Sequence, residues 1–406
     1  RPPRRVGRAG MTGTMSAADA AVLFDGARLT MARHLAGMRK SDLAKAVDKS
    51  PTAVTGWESG AKRPSPPTVA QLALRLGVDP AFFTVAADEV VAPTSAPHFR
   101  SLRATTQRAR DQALSYGQLA FGVASGLERH VEFPDVDVPS HPVEVDDLDG
   151  EGPEEAARLV RSEWGLGDGP LPHLLRLMEN HGVLVVFSPS QTASVDAYSF
   201  DSARRPVVIL NPLKRDYYRQ RFDLAHELGH LVMHADAEPG GRIVEEQAHR
   251  FASELLMPEE QIAPVLPSAI NASAWASLAR LKEQWGVSQQ ALLFRARRLG
   301  VLGDVSYRNA MTTVSARGWR RNEPGQVKVL EQPSLLPRAV ELLVAEGIDE
   351  QILASECRAP LELFRAATSR APLPAQAPFS EGLESGSRSV VSLLPVGDAA
   401  GGGDGS

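Results

Sequence analysis

The chain has 406 residues, a hydrophobic fraction of 43%, a formal net charge of −5 and one cysteine, Cys357. This length exceeds what one compact core usually serves, so we expect two or three domains. No run of about 18 or more apolar residues is present, which argues against a transmembrane helix, and one cysteine cannot form a disulfide within the chain. The basic N-terminal stretch is not followed by the apolar segment of a secretory signal, so we expect a cytoplasmic protein.

The N-terminal region is basic, in contrast to the chain as a whole. Residues 1–90 carry 13 Lys and Arg against 8 Asp and Glu. Residues 23–85 are predicted to form an all-α domain of four short helices joined by tight turns. Ser41 is placed to cap the second helix, and the third helix begins at Pro51 and closes at Gly60. Local positive charge on a small helical domain favours a DNA-binding module, with a helical protein-interaction bundle as the alternative.

The stretch Leu43–Gly60, followed by Lys-Arg-Pro-Ser, resembles the helix-turn-helix of the XRE/Cro repressor family. The resemblance implies that the third helix enters the major groove of an operator in double-stranded DNA. Its outward positions hold residues too small for bidentate base contacts, so we expect modest specificity from them and phosphate contacts from the flanking cations. The predicted DNA-binding residues are Lys49, Thr52, Ala53, Thr55, Gly56, Lys62 and Arg63.

A His-Glu-x-x-His pattern lies within an apolar helical segment in the middle of the chain. His226 and His230 are four residues apart, so both imidazoles lie on one face of a helix and can bind one metal ion. Glu227 lies beside them, where a general base is needed to take a proton from an activated water. The pattern predicts a catalytic zinc site that still lacks one protein ligand.

The third ligand is predicted on a second helix. Along a continuous helix that rises 1.5 Å per residue, His226 and His234 would lie about 12 Å apart, which disfavours His234 as a ligand of the same ion. A second amphipathic helix follows within residues 243–258, and Glu245 lies at the edge of its apolar stripe, where it can face the first helix. Glu245 is therefore the predicted third ligand, while His249 and His234 stay open as partners that orient a ligand or as alternative ligands.

The two helices together resemble the ImmA/IrrE family of metallopeptidase-like regulators. The resemblance rests on Arg-Phe-x-Leu-Ala-His-Glu-Leu-Gly-His, ending at His230, and on Glu-x-x-Ala-x-x-Phe-Ala-x-x-Leu-Leu-Met-Pro, starting at Glu245. It implies Zn²⁺ on His226, His230 and Glu245, with Glu227 as the catalytic base. It also implies cleavage of a repressor protein that controls stress or mobile-element genes. This chain has His249 where the family often has asparagine.

The strands that surround this motif predict a zincin-like α+β domain. A buried strand at 183–187 is followed by a hairpin pair at 196–200 and 206–211, which together predict a small antiparallel sheet. A sheet edge beside the metal helix would let an extended peptide add as a further strand.

The domain organisation follows from these segments and from changes in composition. The predicted parts are a disordered N-terminal extension (1–22), a helix-turn-helix domain (23–85), a linker and connector helix (86–150), the metallopeptidase domain (151–265), its helical C-terminal part (266–325), a helical subdomain (326–370) and a disordered tail (371–406). The connector helix is compatible with a spacer or with a dimerisation helix.

Besides a cytoplasmic peptidase whose N-terminal helices only recruit the substrate, two functions of different classes fit these features. The first is a DNA-binding transcriptional regulator with a gluzincin-like zinc peptidase that cleaves a protein, such as a partner repressor. The alternative is a non-proteolytic transcription factor that uses its zinc domain as a sensor or interaction module. Both involve DNA, protein partners and Zn²⁺, and a homodimer is compatible with both.

Overall fold

The computed structural model describes residues 15–84, 98–99, 106–146, 150–189, 197–202, 204–235, 241–320, 322–325 and 328–372. All of these residues belong to one compact unit. The predictions made for residues 1–14, for the first part of the linker at 86–97 and for the tail at 373–406 lie outside the described residues.

Helices dominate the described part of the chain. They are α1 (Ala17–Val22), α2 (Gly26–Leu35), α3 (Lys40–Ala46), α4 (Pro51–Glu58), α5 (Pro66–Leu76), α6 (Gln107–Leu127), α7 (Gly152–Glu163), α8 (Leu174–Asn180), α9 (Tyr217–Met233), α10 (Arg242–Leu256), α11 (Glu259–Ile262), α12 (Ala272–Trp285), α13 (Gln289–Arg298), α14 (Asp304–Ala316), α15 (Leu335–Ala345), α16 (Glu350–Glu356) and α17 (Leu361–Ala367). The strands are β1 (His98–Phe99), β2 (Leu184–Phe187), β3 (Tyr198–Phe200) and β4 (Val207–Leu210). Among the described residues, no helix is both long and apolar enough to cross a membrane.

The N-terminal helices form the predicted helix-turn-helix domain. Ser50 caps α4 by accepting from the Ala53 amide at 3.2 Å, and Pro51 occupies the first turn. The predicted cap at Ser41 is wrong: the N-cap of α3 is Arg39, two residues earlier, and its amide donates to the Asp42 carboxylate at 3.0 Å.

The predicted disordered extension is also wrong in its last part. α1 occupies residues 17–22, and Ser16 caps it by accepting from the Asp19 amide at 3.2 Å. Ala20 and Ala21 are buried in the core of the helix-turn-helix domain. The ordered domain therefore includes a helix that the sequence assigned to the extension.

The strands form one mixed sheet in the order β1-β3-β4-β2. β3 and β4 pair antiparallel as the predicted hairpin, whereas β2 and β4 pair parallel. The prediction of a small antiparallel sheet is therefore correct for β3 and β4 and wrong for β2. β2 pairs with β4 and not with β3, although β3 follows it in the chain. The chain reverses direction twice between β2 and β4, so these two neighbouring strands are parallel.

This sheet separates two hydrophobic cores. Every residue of β2 and β4 is buried, as in strands that are covered on both faces. The face that joins the core of the helix-turn-helix domain carries Leu184, Val186, Val207 and Ile209. The face that joins the core beneath α9 carries Val185, Phe187, Val208 and Leu210.

The predicted connector helix, α6, is part of the first core rather than a spacer. The Tyr116 hydroxyl donates to the Phe187 carbonyl at 2.9 Å, which fixes α6 to β2. A Cβ on Gly117 would lie 2.6 Å from the Phe200 ring, so glycine allows α6 to approach β3 closely. On its other side, α6 contacts α2, where the Gln112 side-chain amide donates to the Leu35 carbonyl at 2.9 Å.

The C-terminal helices α15 to α17 cover the same core. Their buried residues Leu336, Leu343, Leu353 and Phe364 join α6 and β2. Cys357 is buried at the end of α16, where its thiol faces the Val123 carbonyl of α6 at 3.7 Å. The predicted helices are present, but they share a core with α6 instead of forming a subdomain with a core of its own.

Candidate metal centre

The helix α9 holds the predicted metal-binding pattern in the second core. Asp216 caps this helix by accepting from the amides of Tyr218 and Arg219 at 2.9 and 3.1 Å. The side chains of His226 and His230 are fully buried. Leu224 and Leu228 of the same helix are buried in this core together with residues of β2 and β4, and both histidines face Glu245 of α10.

A buried ion pair fixes the first half of α9. The Arg221 guanidinium is 0% exposed and pairs with the Glu331 carboxylate. It also donates to the carbonyls of Gly286 at 3.1 Å and Leu171 at 2.7 Å. The second oxygen of Glu331 accepts from the Leu175 amide at 2.6 Å. Arg221, which belongs to the sequence motif, thus connects α9 to three other parts of the domain.

The second helix, α10, crosses α9 at a glycine. A Cβ on Gly229 would lie 2.9 Å from the Phe251 ring, so only a glycine permits this separation of the helices. The close approach brings Glu245 to the two histidines. The Glu245 side chain is 20% exposed, so the group opens to solvent on this side.

The three predicted ligands converge on one point. His226 Nε2 lies 3.1 Å from His230 Nε2 and 3.3 Å from a Glu245 oxygen. The other Glu245 oxygen lies 3.8 Å from His230 Nε2. Two ligand atoms about 2.1 Å from a tetrahedral Zn²⁺ are separated by about 3.4 Å. In spacing and in chemistry, two imidazoles and one carboxylate therefore fit a zinc site with one open position.

Neither alternative ligand joins this group of atoms. His234 is the C-terminal cap of α9, and its Nδ1 faces His230 Nδ1 at 3.0 Å rather than the point where the ligands meet. The His249 ring packs edge-on against the His226 ring, with 4.9 Å between centroids, and also contacts Phe222. His249 is half-buried at the rim of the site.

The predicted base, Glu227, is held by a residue that the sequence reasoning missed. The Ser199 hydroxyl of β3 donates to the Glu227 carboxylate at 2.7 Å, and both side chains are buried. Ser199 stands between two aromatic residues in a strand whose residues are all buried. A small polar residue in such a strand is the only signal that pointed to it.

The outer edge of β3 is paired within the chain. His98 of β1 lies opposite Ser199, and Phe99 lies opposite Tyr198, in an antiparallel register. The sequence predicted a sheet edge that could accept an extended peptide beside the metal helix. In this structure β1 occupies that edge.

The predicted DNA-binding residues surround α4. Lys49, Thr52, Thr55, Lys62 and Arg63 are exposed. The Thr55 hydroxyl donates to the Pro51 carbonyl at 3.0 Å within its own helix, and Arg63 donates to the Val22 carbonyl at 2.6 Å.

The two smallest predicted DNA contacts are less exposed than expected. Ala53 is half-buried because it packs against the core of the helix-turn-helix domain. Gly56 is half-buried, and a Cβ there would lie 3.8 Å from the Lys62 side chain. The exposed predicted residues of this surface are therefore the two lysines, the two threonines and Arg63.

Comparison with known families assigns both regions. Residues 29–83 match a family model described as helix-turn-helix, and residues 178–297 match one described as an IrrE N-terminal-like domain. The second match extends beyond the ligand helices to the end of α13. A search of curated proteins found no significant match. The chain therefore joins an XRE-type helix-turn-helix domain to an IrrE-like domain of the ImmA/IrrE metallopeptidase family.

Proposed function

We propose that this protein is a DNA-binding transcriptional regulator whose second domain is a zinc-dependent peptidase. We further propose that the peptidase cleaves a protein, such as a partner repressor, in the control of stress or mobile-element genes. The observation that carries the enzymatic part is the convergence of His226, His230 and Glu245 beside a buried carboxylate, Glu227. This is the donor set of a catalytic zinc site, with three protein ligands and an open fourth position.

The roles of the residues follow from their positions. His226, His230 and Glu245 would hold Zn²⁺, which when bound supplies the Lewis acidity that activates a water and polarises a carbonyl. Glu227 takes a proton from the attacking water and passes it to the leaving amine. Ser199 keeps the Glu227 carboxylate in one orientation through the hydrogen bond of 2.7 Å. Burial of the base and of both histidines limits competing solvent contacts.

The test of the enzymatic part separates metal binding from catalysis. We expect the wild-type protein to bind one Zn²⁺ per chain and Glu245→Ala to lose it. Glu227→Gln keeps all three ligands and removes the base, so we expect unchanged zinc content and a loss of cleavage of about 10²- to 10⁴-fold. Candidate repressors, incubated with each variant and analysed by intact mass, supply the cleavage readout. If the wild type binds zinc but leaves every candidate intact, the peptidase assignment is wrong.

The test of DNA binding uses the exposed lysines beside α4. We expect Lys49→Ala with Lys62→Ala to weaken binding to operator DNA and to reduce the dependence of binding on salt, because each phosphate contact releases counterions. Arg338→Ala is the matched control, since Arg338 is an exposed cation on α15, outside the helix-turn-helix domain. Equal loss in both proteins would contradict a specific DNA-binding surface.

The pairing of β1 with β3 favours one other function. An extended substrate that added to β3 would have to displace β1. A protein that keeps this edge closed would use its zinc domain as a sensor or interaction module and would not cleave. That function predicts DNA binding that changes when Zn²⁺ is removed, with no cleavage by the zinc-loaded wild type.

A further inference from the structure

We propose that His234 and Gln247 are positioning residues for the metal centre. They determine which ring nitrogen of neutral His230 carries the proton, and thereby set the affinity for Zn²⁺. The inference rests on the proposed metal site, and it assigns a function to two buried polar residues that supply no ligand atom. With the backbone carbonyl of Glu144, they and His230 form what we call the hydrogen-bond relay.

The relay is continuous and buried. His230 Nδ1 lies 3.0 Å from His234 Nδ1, and His234 Nε2 lies 2.9 Å from Gln247 Oε1. The Gln247 side-chain amide donates to the Glu144 carbonyl at 2.8 Å. His230, His234 and Gln247 are each at most 1% exposed, so competition from bulk water is small.

The direction of every proton in the relay follows from its far end. A backbone carbonyl can only accept, so the Gln247 NH₂ group faces Glu144 and its oxygen faces His234. That oxygen accepts, so His234 carries its proton on Nε2. A neutral imidazole has one donor and one acceptor, so His234 Nδ1 accepts from His230.

The result is a defined tautomer of the ligand. His230 carries its proton on Nδ1, and the lone pair of its Nε2 points to His226 Nε2 at 3.1 Å and to Glu245. Without the relay, the imidazole of His230 would also populate the tautomer with a proton on Nε2, and Nε2 could then not bind the metal ion.

The relay acts on the second helix as well. Gln247 follows Glu245 by two residues on α10, so its contacts with His234 and Glu144 restrain the rotation of the helix that carries the third ligand. His230 and His234 can make this contact because residues four apart lie on the same face of a helix, and His234 is the C-terminal cap of α9. Partners of this kind typically change metal affinity by about 10- to 100-fold.

The test measures the affinity for Zn²⁺ alone, by competition with a chromogenic chelator, on the full chain. We expect His234→Ala and Gln247→Leu each to weaken zinc binding by about 10- to 100-fold while the stoichiometry at saturation stays at one. His130→Ala is the matched control, because His130 pairs with Glu356 far from α10, and we expect a change below about 3-fold. Far-UV circular dichroism of the metal-free proteins checks that the variants are folded.

A second measurement does not depend on any variant. In the zinc-loaded wild type, ¹⁵N chemical shifts of the imidazole nitrogens should place the proton of His234 on Nε2 and that of His230 on Nδ1. The opposite tautomer of either ring would overturn the proposal. So would zinc affinities of His234→Ala and Gln247→Leu within about 3-fold of the wild type. A wild type that binds no Zn²⁺ would instead refute the metal site.

Discussion

The buried pair of Arg221 and Glu331 offers the most direct test of what holds α9 in place. In the variant Glu331→Ala, the Arg221 guanidinium keeps its bonds to the carbonyls of Gly286 and Leu171 but loses its counter-charge. The Leu175 amide loses its acceptor at 2.6 Å. No solvent replaces either partner, because Arg221 is 0% exposed and Glu331 is 3% exposed.

The expected magnitude follows from these losses. A buried donor left without an acceptor costs about 1–3 kcal/mol, and removal of one partner of a buried ion pair costs about 3–5 kcal/mol in all. We therefore expect Glu331→Ala to lower the free energy of unfolding by about 4 kcal/mol. That is a large part of the roughly 5–15 kcal/mol by which domains are usually stable.

Urea unfolding followed by circular dichroism measures this change. The matched control is Glu341→Ala, which breaks an ion pair with Arg370. The side chains of Glu341 and Arg370 are 46% and 38% exposed. We expect the control to lose less than about 1 kcal/mol. The double variant Arg221→Met with Glu331→Leu should recover part of the loss, since it leaves no buried charge behind. A loss for Glu331→Ala no larger than that of the control would refute the reasoning.

Three further predictions concern the base, the helix crossing and pH. We expect Ser199→Ala to reduce cleavage about 10-fold at unchanged zinc content, because a hydrogen bond to the Glu227 carboxylate is lost; an unchanged rate would contradict the role of Ser199. Gly229→Val places a branched side chain where even a Cβ would lie 2.9 Å from the Phe251 ring. It should therefore destabilise the fold by about 1–3 kcal/mol and weaken zinc binding, with chelator competition as the readout. His34 contacts Ser115 of α6. Its pKa is lowered, mainly because the ring is partly buried and secondly because the positive charge of Arg33 lies beside it. The unfolded chain therefore protonates His34 more readily than the folded protein does, so stability should be lost as pH falls from about 6.5 through the folded pKa. His34→Gln should remove this part of the pH dependence in thermal melts. An unaltered profile would contradict the role of His34.

Much of the site was predictable because its signal is local. The spacing of His226 and His230 on one helix and the amphipathic pattern around Glu245 are short-range features of the sequence. The helices of the N-terminal domain were predictable for the same reason, since Pro51 marks the start of α4 and Gly60 follows its C-terminal cap. These predictions needed no knowledge of which elements contact each other.

The missed features depend on contacts between distant parts of the chain. Ser199 and Glu227 are 28 residues apart, and Gln247 reaches a carbonyl 103 residues away. In each pair, the sequence around one residue contains no sign of its distant partner. The parallel pairing of β2 with β4 was missed likewise, because periodicity identifies strands but not their neighbours.

Because both faces of the sheet are covered, the region that matches the IrrE-like family model is not a suitable fragment to study alone. A fragment limited to residues 178–297 would keep the helices α9 and α10. It would lack α6 and the C-terminal helices, which cover the sheet face that carries Val186, Val207 and Ile209. Exposed apolar strands of that kind promote aggregation. α6 contacts both the helix-turn-helix domain and this face of the sheet. A ligand that binds only the folded N-terminal domain stabilises the folded state. DNA bound there would therefore also oppose unfolding of the sheet that supports α9.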